Sequence, residues 1–237
     1  MENLKKQTDK IFVVGTDTGV GKTVLSLLLM QFFYAKGYAP FYIKPIQTGC
    51  SDPYDKDSDA RFIYNHVKQL SKKDPADSIV YCFREPKAPY FASRDEGKHI
   101  DITAIKDTLD NKARIYSPVI MEAAGGLLVP VNENTLIIDL IKITDAKPII
   151  AARAGLGTIN HTLLTIEAMH KRHIKPLGVV FIDAGEKATP QDMISENIEA
   201  VESHSGIKPI GIIGKIDNFM CPLKKYYKPF EKIFKSN

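Results

Sequence analysis

At 237 residues, with 44% apolar and 25% charged side chains, the chain has the length and composition of one α/β domain with a full core, which excludes a disordered or fibrous protein. Its net charge of +4, with lysines gathered toward both ends, leans toward anionic ligands and is too small to argue for nucleic acid. Cys50, Cys82 and Cys221 show no CxxC spacing, the opening MENLKKQTDK has no apolar leader core, and no run approaches the roughly 20 apolar residues a bilayer demands, so a cytoplasmic protein without metal-thiolate, disulfide or membrane chemistry is expected.

In chain order, short apolar runs bounded by Gly, Pro or Asp alternate with stretches of helical spacing. Strands are predicted at 10–15, 40–43, 119–122, 148–152, 177–182 and 209–213. Most are near-continuous Val/Ile runs, apolar on both faces, as a parallel sheet covered on each side requires. Helices are predicted at 22–36, 59–67, 102–110, 136–143, 158–171, 191–204 and 223–234. The polar stretch 47–58 reads as an active-site loop without regular structure, 78–83 as a further strand, and 84–99, with two prolines and several aromatics, is left undecided. The expected architecture is a single P-loop-like α/β domain over 1–237, its mostly parallel sheet flanked by helices.

The first strand runs into TDTGVGKT and then a helical pattern. Gly-rich turns between strand and helix are common, but GKT in this context is a phosphate-binding loop. Gly19 and Gly21 let successive amides curl inward, the helix adds its positive end, Lys22 reaches the outer phosphates, and Thr23 offers a hydroxyl to magnesium. Five residues rather than four separate Gly15 from GKT, so Thr16 stands where a glycine is usual and the cradle is a variant.

Ligands of open α/β sheets gather at the carboxyl ends of strands. There stands Lys44, in KPIQTG, either a second cation on a transferring phosphoryl group or a surface lysine before a Pro turn. Asp59 is either a metal ligand or an ordinary acid in the first turn of its helix. Glu122, in VIMEAAGGLLVP, has the position of a strand-end acid that holds magnesium. Thr23, Asp59 and Glu122 make a sensible oxygen set for that ion. His66, His99, His161 and His204 form no paired arrangement and are read as solvated or core residues.

In order along the chain, GTDTGVGKT, KPIQTG, SDA, EAAGGLLVP and GLGTINH resemble dethiobiotin synthetase, from Lys10 to about Ile213. The resemblance implies an ATP- and magnesium-dependent reaction that takes 7,8-diaminononanoate and CO2 through a carbamate and a carbamic-phosphoric anhydride to a ureido ring, with ADP and phosphate released. By that resemblance Lys44 and Lys22 are catalytic, and Thr18, Lys44 and Thr48 touch substrate. Thr18, Gly19, Val20, Gly21, Lys22, Thr23, Asp59, Glu122, Ala123, Ala124, Gly125 and Asp183 serve the nucleotide and its magnesium. Gly157, Thr158, Ile159 and Asn160 seat the substrate's distal carboxylate in the partner subunit of a homodimer by that resemblance, although the residues alone favour a plain helix cap at Thr158 or Asn160. Ile182 stands where some members carry an Asn that reads adenine, and an isoleucine makes no such hydrogen bond. Two rivals share the cradle. A glutamine-dependent amidase needs a glutaminase region that this length cannot supply, and a partition-type switch ATPase usually carries an extra early-loop lysine and an amphipathic tail.

Overall fold

The structure, a computed structural model, describes residues 10–185, 187–222 and 224–234. Six strands form one sheet in the order β2-β5-β1-β6-β7-β8: β1 is Lys10–Gly15, β2 Phe41–Ile43, β5 Val119–Gly126, β6 Lys147–Arg153, β7 Val179–Ile182 and β8 Pro209–Ile213. Every pairing among them is parallel. Parallel pairing leaves both faces to be covered, and the strand sequences comply. Along β1, Ile11 and Val13 pack on one face and Phe12 and Val14 on the other, all essentially without solvent contact.

One face is covered by α1 (Lys22–Ala35), α2 (Asp59–His66) and α8 (Lys228–Ile233), which bring Leu25, Leu28, Ile63 and Phe230 into one apolar cluster. The other carries α3 (Pro89–Asp95), α4 (Ile102–Ala113), α5 (Ile137–Ile143), α6 (Thr158–His170) and α7 (Gln191–Ser205), with Ala92, Leu109, Ile138, Ile166 and Val201. The α1 sequence, KTVLSLLLMQFFYA, is apolar almost all round because it is wedged between sheet and neighbouring helices. It stops where Gly37, at φ 81°, takes a left-handed conformation, so that Gly37 N–H reaches Tyr34 O and Tyr38 N–H reaches Phe33 O, closing the last turn.

Several expectations are corrected. The stretch 47–58 is not wholly irregular: β3 (Ile46–Thr48) pairs in parallel with β4 (Tyr81–Phe83) in a separate two-stranded sheet, and the latter replaces the longer strand expected over 78–83, whose first residue, Ser78, ends a 3-10 turn that begins at Pro75. Within 84–99 lies α3, with Pro89 in its first turn, a position that needs no amide donor. Strand β5 continues past Glu122 through both alanines to Gly126. The final helix is shorter than expected: a 3-10 turn at Lys224–Tyr227 precedes α8, and Leu223, its expected first residue, lies outside the described residues, as do the terminal lysines Lys5, Lys6 and Lys235. Among the described residues no helix is long and apolar enough to cross a membrane.

Candidate active site

The site lies at the carboxyl ends of β1, β2 and β5, the three strands whose exits carry the singled-out motifs. The loop after β1 turns into α1 at Gly21, whose φ of 89° only glycine adopts without strain, and the side chain of Ile182 packs against that glycine so closely that an added Cβ would lie 2.8 Å from it. No side chain caps the start of α1, which leaves its first amides turned to the loop. Lys22 is nearly buried, and its ammonium donates to the main-chain oxygen of Asp17 at 2.9 Å. Burial outweighs the attraction of Glu122 and brings the Lys22 pKa down to about 8.

Three oxygens converge beside it. The Thr23 hydroxyl sits 2.6 Å from Asp59 Oδ1 and 2.9 Å from Glu122 Oε1, yet it has one proton and can donate to only one of them. A hydroxyl and two carboxylates are a donor set for a hard divalent cation that draws its other ligands from phosphate and water, so these residues fit magnesium. Among the described residues no group of three or more His, Cys, Asp or Glu suggests a thiolate or imidazole metal site instead.

Lys44 follows β2 directly, and its ammonium bridges the same two acids, pairing with Asp59 Oδ2 and, at 3.1 Å, with Glu122 Oε1. Desolvation would lower its pKa, but Glu122 and then Asp59 more than compensate and hold it above the ordinary lysine range. Asp59, also desolvated, is held below the ordinary carboxylate range chiefly by Lys44. The backbone around this lysine is stitched down: Lys44 N–H donates to Ser78 O at 2.8 Å, and Pro45 O accepts from Tyr81 N–H at 2.8 Å.

A cavity of about 370 Å³ brings together Thr18, Gly19, Gly21, Lys22, Thr23, Lys44, Thr48, Asp59, Glu122, Ala124 and Gly125. Both lysines therefore face one space. Lys44 is buried against two acids and is not a surface lysine before a turn. A second cavity, of about 410 Å³, shares Gly19 and is lined also by Val20, Arg153, Ile182 and Asp183, whose carboxylate is engaged by Thr189 Oγ1 at 2.8 Å. Ala123 is turned into the core and lines neither.

Gly157–Asn160 line neither cavity of their own chain. Gly157, at φ 88°, is the residue before α6, and no side chain caps that helix; Thr158 instead is buried against Thr162, with hydroxyl oxygens 3.3 Å apart. Two residues of the acidic cluster escaped sequence reasoning. Tyr42 donates its hydroxyl to Glu122 Oε2 at 2.9 Å, and Gln47 Oε1 accepts from Asp59 N–H at 3.2 Å. Tyr42 had one usable signal: it lies two residues before Lys44, so both side chains leave the chain on the same side.

A parallel sheet with this loop at the end of its first strand, followed by a lysine and a hydroxyl over an acid of the neighbouring strand β5, defines a P-loop nucleotide-binding α/β protein. The sequence matches an AAA domain family over residues 9–222. An ATP-dependent dethiobiotin synthetase of Methanococcus vannielii is 33% identical over 92% of this chain and 100% of its own length, and one from a Hydrogenobaculum species is 39% identical over 79% and 86%. In Bordetella avium the match, 37% identical over 87% of this chain, covers 40% of a biotin biosynthesis bifunctional protein. The MinC:MinD cell division protein complex of Aquifex aeolicus shares the fold alone, with a TM-score of 0.55 at 13% identity over 87% of this chain and 81% of that one. The chain belongs to the ATP-dependent dethiobiotin synthetase family, ligases of biotin biosynthesis that use ATP.

Proposed function

We propose that this chain, acting as one domain in the cytoplasm, carries out the full reaction that its resemblance implies, with CO2 and 7,8-diaminononanoate as co-substrates and ADP and phosphate as products. The observation that carries this reading is the shared cavity: Lys22 and Lys44 face one space that also holds Thr18, Thr48 and the acid pair. One amine of the substrate adds to CO2 and loses a proton to solvent, giving a carbamate. A carbamate oxygen then attacks the terminal phosphorus of ATP and ADP departs. The second amine attacks the anhydride carbon, the C–O bond to phosphate breaks, the proton lost by that amine leaves with phosphate, and the ring closes. Both reactants of the second step are anions, so the work of the protein is charge compensation and alignment, without a protein nucleophile.

In this scheme Lys44 holds the carbamate, with Thr18 and Thr48 beside it, and Lys22 leaves the Asp17 carbonyl for the outer phosphates. The loop amides of Gly19, Val20 and Gly21 take the phosphate chain, Ala124 and Gly125 border it, and Asp183 lies on the nucleoside side; Ala123, expected beside them, faces the core and takes no part. Thr23, Asp59 and Glu122 would hold magnesium, which lowers the charge on the phosphate oxygens when bound. The distal carboxylate of the substrate is seated by the partner subunit's Gly157, Thr158, Ile159 and Asn160, a role supported by the uncapped start of α6 and by its place outside the Lys44 cavity of its own chain. Exposed Leu128, Leu156 and Leu164 near that helix supply apolar surface for a homodimer.

The test is phosphate release from ATP with diaminononanoate and bicarbonate. Release is expected only when both are present, and Lys44→Ala should cut it by several orders of magnitude while nucleotide still binds. Unchanged release on omission of either co-substrate counts against the reading.

A further inference from the structure

Arg153 is the last residue of β6 and lines the second cavity together with Gly19, Val20, Ile182, Asp183 and Lys187. Its backbone is held on both sides. It pairs with Ile182 across the β6–β7 ladder, the following Ala154 N–H donates to Ile182 O at 3.1 Å, and Asn197 Nδ2 donates to Ala154 O at 2.8 Å. Its side chain is half exposed and, among the described residues, makes one ion pair, from Nη2 to Asp17 Oδ2 of the phosphate loop at 3.5 Å.

A half-exposed pair at that distance contributes little to stability, so a merely structural role is a weak account of an arginine here. The pair instead keeps a guanidinium at the mouth of the phosphate loop and is cheap to give up. Asp17 Oδ1 already accepts from Thr18 N–H at 2.7 Å, so the carboxylate keeps a partner if the arginine leaves. The guanidinium has five donor hydrogens in a planar fork suited to phosphate oxygens, and one contact to Asp17 occupies a fraction of them. A triphosphate laid with its outer end at Lys22, Thr23 and the acids leads through the shared Gly19 into the cavity that Arg153 lines.

We infer that Arg153 is a nucleotide contact, a third cation that exchanges Asp17 for a phosphate oxygen on the nucleoside side of the triphosphate. The inference rests on the nucleotide cradle proposed above, and it needs no diamine for its test. ATP binding to the full chain is titrated calorimetrically for the natural protein, Arg153→Ala, Arg153→Lys and the double variant Asp17→Asn with Arg153→Ala, with thermal melting as a check on folding. Arg153→Ala is expected to weaken ATP about tenfold, the double variant to stay equally weak, and Arg153→Lys to lose roughly threefold, because it keeps charge but not the fork. Unchanged affinity in Arg153→Ala overturns the inference. So does recovery in the double variant, which would mean that the arginine only neutralises Asp17. If the natural protein binds no ATP, the cradle itself is at fault rather than Arg153.

Discussion

Lys22 and Lys44 share a cavity, yet their surroundings drive them in opposite directions. Desolvation outweighs the pull of Glu122 on Lys22 and brings its pKa down to about 8, whereas Lys44 is clasped by two carboxylates and is held above the usual lysine range. The sign for ligand binding follows. Below about pH 8 the ligand-free protein carries both charges; as pH rises through 8, Lys22 loses its proton and Lys44 does not. Phosphate binding must then take up a proton, so the ATP dissociation constant is expected to rise above pH 8, with a slope approaching roughly tenfold per pH unit. Titrations at pH 7, 8 and 9 check this, and a Lys22→Arg variant that still binds should show a flat profile, since arginine stays charged throughout. Lys22 was legible in GKT and Glu122 from its apolar strand, whereas Lys44 and Asp59 each kept a plain alternative, a surface lysine and a first-turn helix acid, until the fold brought them together. Tyr42 and Gln47 were not legible, because their partners, Glu122 and Asp59, are remote in sequence and meet them only through β2–β5 pairing and the turn after Lys44.

Among elements, α8 shows how a short segment can matter more than its length. Six residues cannot hold a helix alone, and its order comes from burial. Phe230 has no exposed surface and packs edge to face with Phe32 of α1 at 5.5 Å, while Pro229 lies so close to β8 that a Cβ on Gly211 would meet it at 2.4 Å. Phe230→Ala is therefore expected to cost about 3–5 kcal/mol of folding stability, read from denaturant or thermal unfolding. The long strands were legible because burial on both faces writes an unbroken apolar run, as in IFVVG and PIIAA. Strand β3 was not: three residues, IQT, carry too little pattern, and their pairing with Tyr81–Phe83 is decided by distant chain. Helix α3 was hidden by two prolines, of which Pro86 lies before the helix and Pro89 sits in a first turn that tolerates it.

At the scale of the whole molecule, the sheet sorts the chain into two apolar layers, and beyond them three exposed leucines gather near α6. There Leu128 and Leu164 border an apolar groove with His161, and Leu156 is 88% exposed. If this surface joins two subunits, Leu164→Asp should yield a monomer by light scattering, bind ATP as before, and lose turnover, because the carboxylate seat is then missing from the neighbouring site. Retained turnover in a proven monomer would refute the shared site.

The stitching around Lys44 has its own consequence. The lysine's N–H donates to Ser78 O and the carbonyl of the proline after it accepts from Tyr81 N–H, which ties that corner down, and two acids hold the ammonium from the side. Such a charge cannot chase a mobile reactant. In the proposed reaction it would serve as an anvil, a fixed charge to which the reactant is brought rather than one that swings out to meet it.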